Sequence, residues 1–183
     1  IAAPQKLLIG KEAAQLIPND ASLFINIGTT TEAFSEALVS HKGLMVVTNN
    51  INVASSLRLS TENEVIIAGG VVRPSDGGIV GEAAVDFIKN FKVDYAIIGS
   101  SAIDSDGSLL DFDFREVKVA QAIIENARQV ILVADSTKLA RSAPVRIGHI
   151  SQVDTFVTDV VIDEDFRAVC LNSEVSIIEV QQG

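Results

Sequence analysis

Gly28-Thr29-Thr30-Thr31 closes a short apolar run and opens a helix-like pattern. The first backbone N–H groups of a helix have no internal partner and carry a partial positive charge, so a turn of this kind attracts anions. A glycine lets a ligand approach the backbone closely, and Thr29, Thr30 and Thr31 add hydroxyl donors. This is the chemistry of a phosphate cradle built without a Walker-type lysine. Ordinary helix capping is the competing explanation, but a cap needs one threonine rather than three.

Other polar clusters follow apolar runs along the chain. They are Thr48-Asn49-Asn50, then Gly69-Gly70 with Arg73, Asp76, Gly77 and Gly78 just beyond, then Gly99-Ser100-Ser101, and Asp135-Ser136-Thr137-Lys138. An anion on an acidic chain needs local cations, and Arg73, Lys118 and Lys138 are the candidates. Each has a plain alternative as a solvated charge, Lys118 above all because it sits on the helical stretch FREVKVAQAIIENA. Asp76, Asp104, Asp106, Asp111 and Asp113 are carboxylates that bind polyol hydroxyls or exchange protons. SDGG and DSDG are also turn sequences in their own right, the favoured explanation for Asp106. Asn49 and Asn50 suit hydroxyl binding or capping of a helix at Ile51, and capping is the safer role for one of them.

Several chemistries are disfavoured. There are two histidines and no nucleophile elbow, which argues against a hydrolase. No Gly-x-Gly-x-x-Gly turn follows the first strand, which argues against a dinucleotide site. Cys170 is the single cysteine, so no internal disulfide forms and a reducing cytosol fits. His41 and His149 lie far apart in sequence, and neither a metal nor a cofactor is expected. The net charge of −10 argues against this chain gripping DNA by itself. No apolar run approaches the roughly 20 residues of a membrane span, and no leader pattern opens the sequence.

These residues need elements to position them. Apolar runs at SLFINIG, LMVVTN, EVIIAGG, VDYAIIGSSAI, QVILVAD, VDTFVTD and VSIIEV predict seven strands, the last at an edge. Helices are expected at QKLLIGKEAAQLI and over 31–39, 51–59, 81–91 and 114–127. Strands that are apolar throughout mark a parallel sheet covered on both faces. The expectation is one α/β domain over 1–183, doubly wound and mostly parallel, with helices on both faces. A small accessory layer is expected near Val71–Val72 and Leu109–Phe112. Ligands in such sheets sit beyond the carboxyl ends of the strands, where the polar clusters fall.

The motifs INIGTT, VTNNINVA, IIAGGVVRPSDGGIVGEAAVDFI, DYAIIGSSAIDSDGSLLDFDFREV, AIIENARQVILVADSTKLAR and VDTFVTD occur in order from about Glu12 to Asp159. Together they resemble the effector-sensing domain of DeoR-family transcriptional repressors. The resemblance implies a fold of the ribose-5-phosphate isomerase and CoA-transferase type. It implies a phosphorylated sugar or polyol effector, glycerol 3-phosphate foremost, that releases the repressor from DNA. DNA contact would come only through an N-terminal winged helix-turn-helix, absent from this sequence, and the chain would be a cytoplasmic fragment without enzyme activity that assembles as a homodimer or homotetramer. A phosphosugar isomerase or deaminase on the same scaffold is the alternative. Carried over by position, the resemblance makes Gly28–Thr31 the phosphate-binding turn. It sets Asn49, Gly69, Gly70, Arg73, Asp76 and Gly77 beside the ligand and Gly99, Asp111, Glu116, Lys118 and Lys138 around it. The family usually carries an Asp two residues before the loop glycine, where this chain has Asn26.

Overall fold

A computed structural model describes residues 4–180. In chain order it runs α1 (Pro4–Ala14), β1 (Ser22–Ile25), α2 (Thr29–Glu36), β2 (Met45–Thr48), α3 (Ile51–Leu57) and β3 (Glu64–Ile67). A hairpin of β4 (Val71–Val72) and β5 (Ile79–Val80) precedes α4 (Glu82–Ile88) and β6 (Val93–Ile98). Then come β7 (Ala102–Ile103), β8 (Ser108–Asp111), α5 (Phe114–Glu125) and β9 (Ala127–Val133). A short 3-10 turn at Ser136–Ala140, β10 (Val145–His149), β11 (Thr155–Thr158), α6 (Glu164–Asn172) and β12 (Ser176–Glu179) complete it.

Seven parallel strands form the main sheet in the order β12-β11-β9-β6-β1-β2-β3. Alternate side chains of each inner strand enter opposite layers, which is why consecutive residues along these strands are apolar rather than alternating with polar ones. Leu23 and Ile25 pack with Ile9, Ala13, Phe34 and Leu57 of α1 to α3 and with Leu38 in the turn after α2. Phe24, between them, packs on the other face with Ile88, Val117, Ile123 and Phe166 of α4 to α6. All three β1 residues are fully buried, and each contributes about 1.5–3 kcal/mol relative to an exposed position. The edge strands β3 and β12 are more open, as the sequence predicted for the last strand.

The chain departs from expectation in four places. The second helix begins at Thr29, two residues earlier than the pattern predicts, because Gly28 supplies the N-cap at φ 133°. VDYAIIGSSAI is two strands, not one. Ser100 Oγ lies 2.7 Å from the Ala102 carbonyl and 3.1 Å from that of Leu110, turning the chain out of the main sheet after Ile98. Ala102 and Ile103 then pair with β8, which also pairs with β10, a strand not anticipated. Helix α6, capped by Asp163 through Phe166 N, was likewise not expected. The accessory layer is two small antiparallel sheets, β4-β5 and β10-β8-β7.

Candidate functional site

The strand order places the reversal of the winding between β1 and β6. From β1 the chain proceeds outward through β2 and β3, and then returns to the other side of β1 at β6. In open α/β sheets this reversal opens a crevice at the carboxyl ends. A cavity of about 120 Å³ lies there, lined by Asn26, Ile27 and Gly28 after β1 and by Gly99, Ser100 and Ser101 after β6. It is smaller than the several hundred Å³ typical of nucleotide or drug sites, so its size suits a compact ligand.

One wall is the start of α2. The first helical bond runs from Glu32 N to Gly28 O at 3.0 Å, so the N–H groups of Thr29, Thr30 and Thr31 have no acceptor within the helix. Gly28 provides no side-chain cap. The three threonines divide their work. Thr31 is fully buried, and its hydroxyl lies 2.9 Å from the Asn26 carbonyl and 2.7 Å from that of Gly28, holding the turn itself. Thr29 is exposed and its Oγ1 accepts from Lys6 Nζ at 2.7 Å. Three free hydroxyl donors were expected; Thr31 is committed to the local backbone instead.

The floor is polar and buried. Glu116, on the first turn of α5, is 1% exposed. Burial pushes its carboxyl up to about 8, against the pull of Asn49, Arg73 and Asn26 and with a further push from Asp111. Asn49 Nδ2 donates to Glu116 Oε1 at 2.8 Å and to the Ile79 carbonyl at 3.1 Å. Asn49 therefore sits beneath the cavity and positions the carboxyl. Asn50 caps α3 through Asn52 N at 2.9 Å. Glu116 Oε2 and Asn26 Oδ1 are buried polar atoms without hydrogen-bond partners, and with its carboxyl raised to about 8 Glu116 carries a proton at neutral pH. Buried polar atoms are nearly always paired, so two orphans beside one cavity make it a candidate ligand site.

The expected cations behave differently from one another. Lys138 lines the cavity. Burial, then the neighbouring Arg141, hold its ammonium below its ordinary range despite Asp135. Arg73 also lines the cavity but is already paired: Nη1 donates to Asp113 at 2.7 Å, and Nε and Nη2 bind Asp76. Burial disfavours the guanidinium charge, but these carboxylates outweigh it and raise its affinity for the proton. Asp113 also caps α5 through Arg115 N. Arg73 thus ties the β4-β5 hairpin to α5 rather than offering a free charge. Lys118 is exposed, with Nζ 4.9 Å from the Phe114 ring centre on the outer side of α5. The structure therefore does not bring Lys118 to the pocket, because it lies on a different helix face from Glu116.

Of the residues expected at the site, Gly28, Thr29, Thr30, Thr31, Arg73, Asp76, Gly99, Asp111, Glu116 and Lys138 line the cavity. Gly69, Gly70 and Gly77 do not; they shape the β4-β5 hairpin. Gly70 has φ 150°, and a Cβ there would meet the Val80 carbonyl at 2.6 Å. Gly77 accepts from Ile51 N and has φ 75°. The apolar wall of Val117, Ala120, Val133 and Ile147 was not anticipated, since those residues carry no chemical signature. Cys170 is fully buried in the core, and burial pushes its thiol up to about 11.

The family model described as the DeoR C-terminal sensor domain matches residues 1–160. The chain belongs to this family. The sensor domain is 52% identical over 155 residues to the glycerol-3-phosphate regulon repressor of Escherichia coli, a stretch covering 85% of this chain and 62% of that protein. It is 54% identical over 154 residues to the same-named repressor of Haemophilus influenzae, covering 84% and 60%. The HTH-type transcriptional repressor CsqR of Escherichia coli is 36% identical over 178 residues, covering 97% and 68%. The sensor domain thus spans less than two thirds of the length of the two glycerol-3-phosphate regulon repressors. Among solved structures it is similar to ribose 5-phosphate isomerase A of Neisseria gonorrhoeae, with a TM-score of 0.53, 14% identity, and coverage of 78% and 54%. It is also similar to eIF2B delta of Chaetomium thermophilum, with a TM-score of 0.63, 15% identity, and coverage of 86% and 56%. Identities this low show a shared fold, and the isomerase type of fold is the one the sequence motifs implied.

Proposed function

We propose that the cavity binds a small phosphorylated polyol, glycerol 3-phosphate first among candidates, and that binding releases a repressor from DNA. The observation that carries this is the cavity at the winding reversal, with the open N–H groups of α2 and Lys138 on its wall and the unpaired polar atoms of Asn26 and Glu116 in its floor. An anionic group suits the first, and hydroxyl groups suit the second. The names of the relatives at 52% and 54% identity support glycerol 3-phosphate. In this proposal DNA is bound by a segment outside the 183 residues, because a surface of net charge −10 is a poor match for phosphates along a duplex. The domain acts as a homodimer or homotetramer without enzyme activity, and sedimentation at micromolar concentration measures the assembly. Effector binding shifts the population among assembled arrangements.

Calorimetric titration of glycerol 3-phosphate, with glycerol and inorganic phosphate as controls, tests the proposal. Saturable binding is expected, weakened about ten- to a hundredfold by Lys138→Ala through loss of a charge-assisted contact. Absence of binding to every three- to six-carbon phosphate tried would sink it. Glu116 supports a second possibility, since a buried carboxyl at about 8 suits proton transfer at a sugar carbon. Turnover of ribose 5-phosphate by the purified chain would favour that enzyme.

A further inference from the structure

We propose that Lys6, on the first helix, is a phosphate-binding residue of this cavity, and that effector occupancy thereby locks α1 against α2. The proposal deepens the function proposed above and rests on it. Three observations carry it.

Lys6 Nζ donates to Thr29 Oγ1 at 2.7 Å. Thr29 lines the cavity and opens the helix whose first N–H groups are free. An ammonium held at that hydroxyl stands where an anion at the helix terminus would sit.

The cations around this wall are not held in close ion pairs. Lys6 and Arg141 both disfavour the charge of Lys138, while Asp135 and Asp111 favour it. Among the described residues none of the three is in an ion pair within 4.0 Å. The nearby Asp135 is engaged by Thr137, whose N–H it accepts at 2.9 Å. A chain with ten more acidic than basic charges has carboxylates to spare. Asp135 and Asp111 offset the mutual repulsion of these cations only in part, so an anion arriving at the cavity would relieve the rest. The unpaired Asn26 Oδ1 and Glu116 Oε2 in the same cavity independently mark it as a ligand site.

Helices α1 and α2 touch backbone to backbone. A Cβ on Gly10 would fall 2.6 Å from the Ala33 carbonyl carbon and from Phe34 N. Lys6 and Gly10 are four residues apart and so share one helix face. Ile9 and Ala13 beside them are fully buried. A charge that pulls Lys6 toward the cavity acts on a helix already docked on the phosphate-binding element, with no flexible loop between to absorb the pull.

Lys6→Met, which keeps the aliphatic stem, and Lys6→Arg, which keeps the charge, test this in the 183-residue chain. Glycerol 3-phosphate and inorganic phosphate are titrated, and amide hydrogen exchange of α1 is followed with and without ligand. In Lys6→Met both affinities should fall together, about five- to thirtyfold, while melting stays close to wild type. Lys6→Arg should restore affinity to within about threefold. Ligand should slow exchange in α1 for wild type and Lys6→Arg but not for Lys6→Met. Unchanged phosphate affinity in Lys6→Met overturns the inference and leaves the proposed function standing. Weakened binding with α1 still protected overturns the locking. A wild-type chain that binds neither compound overturns the proposed function and this inference with it.

Discussion

Two glycine-rich turns follow parallel strands in this sheet: Gly28–Thr31 after β1, and Gly69–Gly70 with the hairpin beyond it after β3. Their residue types overlap, and both lie at carboxyl ends. Strand β1 is flanked by β6 on one side and β2 on the other, at the point where the winding reverses. Its turn opens onto the cavity, and its glycine has room, with the nearest atom to a Cβ on Gly28 being Thr31 Oγ1 at 3.6 Å. Strand β3 is the sheet's edge. Its turn sends the chain into a hairpin that folds back over the sheet, and Gly70 is there because Val80 passes too close for a side chain. On the proposed function, the polar strand end beside the reversal becomes a binding wall. At an edge the same residues serve chain reversal and close packing.

This contrast can be broken by substitution. The largest expected effect is on stability at the edge turn. Gly70→Ala should cost about 2–4 kcal/mol, from positive φ together with a backbone clash, while glycerol 3-phosphate affinity of the folded protein stays unchanged. Urea unfolding and calorimetry together read both. Gly28→Ala should show the opposite split, with a stability loss of about 1–2 kcal/mol from strain alone and a clear loss of affinity. Equal affinity losses in the two variants would erase the distinction between the turns.

A second test sharpens the contrast between the cationic wall and the buried floor. Glu116 has its carboxyl raised from the ordinary 4.5 to about 8 in the folded chain, so between these values the folded state holds a proton that the unfolded chain has released. Stability should then fall as pH rises through that window and level off above it. Glu116→Gln, neutral and similar in shape, should remove this slope and be more stable than wild type at pH 8 by roughly 2–4 kcal/mol. Melting temperatures of both proteins from pH 5 to pH 9 measure it, and parallel curves would show that Glu116 is not the buried acid described. The smallest effect is expected at Gly69, where a Cβ meets nothing within 4 Å. Gly69→Ala should change stability by less than about 0.5 kcal/mol and leave affinity unaltered. A drop in affinity would put that turn back beside the ligand.

Much of the fold was legible because parallel strands buried on both faces leave an unmistakable run of apolar residues. All seven main-sheet strands were readable on that ground, along with the accessory layer. The helix boundary at Thr29 was missed because a glycine cap leaves no side-chain signal. β10 was missed because VRIGH alternates weakly and has only a small sheet to join. Gly28, Thr30 and Lys138, expected from chemistry at strand ends, line the cavity. The contact of Lys6 with Thr29 was not legible, because the two are 23 residues apart in sequence.

By itself the sequence determined the α/β class, the seven strands of the main sheet and the turn that opens α2 with free N–H groups, since each depends on neighbours along the chain. Only the tertiary structure decided which charges remain available there. Arg73 looks free in sequence, yet Asp76 and Asp113, three and forty residues on, have claimed it. Glu116 and Lys118 are two positions apart on α5, which turns them roughly 200° from each other about the helix axis. One is buried under the cavity beside Asn49, and the other lies over Phe114 in solvent. Which of them faced inward was set by the side on which α5 meets the sheet, and that packing joins residues far apart along the chain.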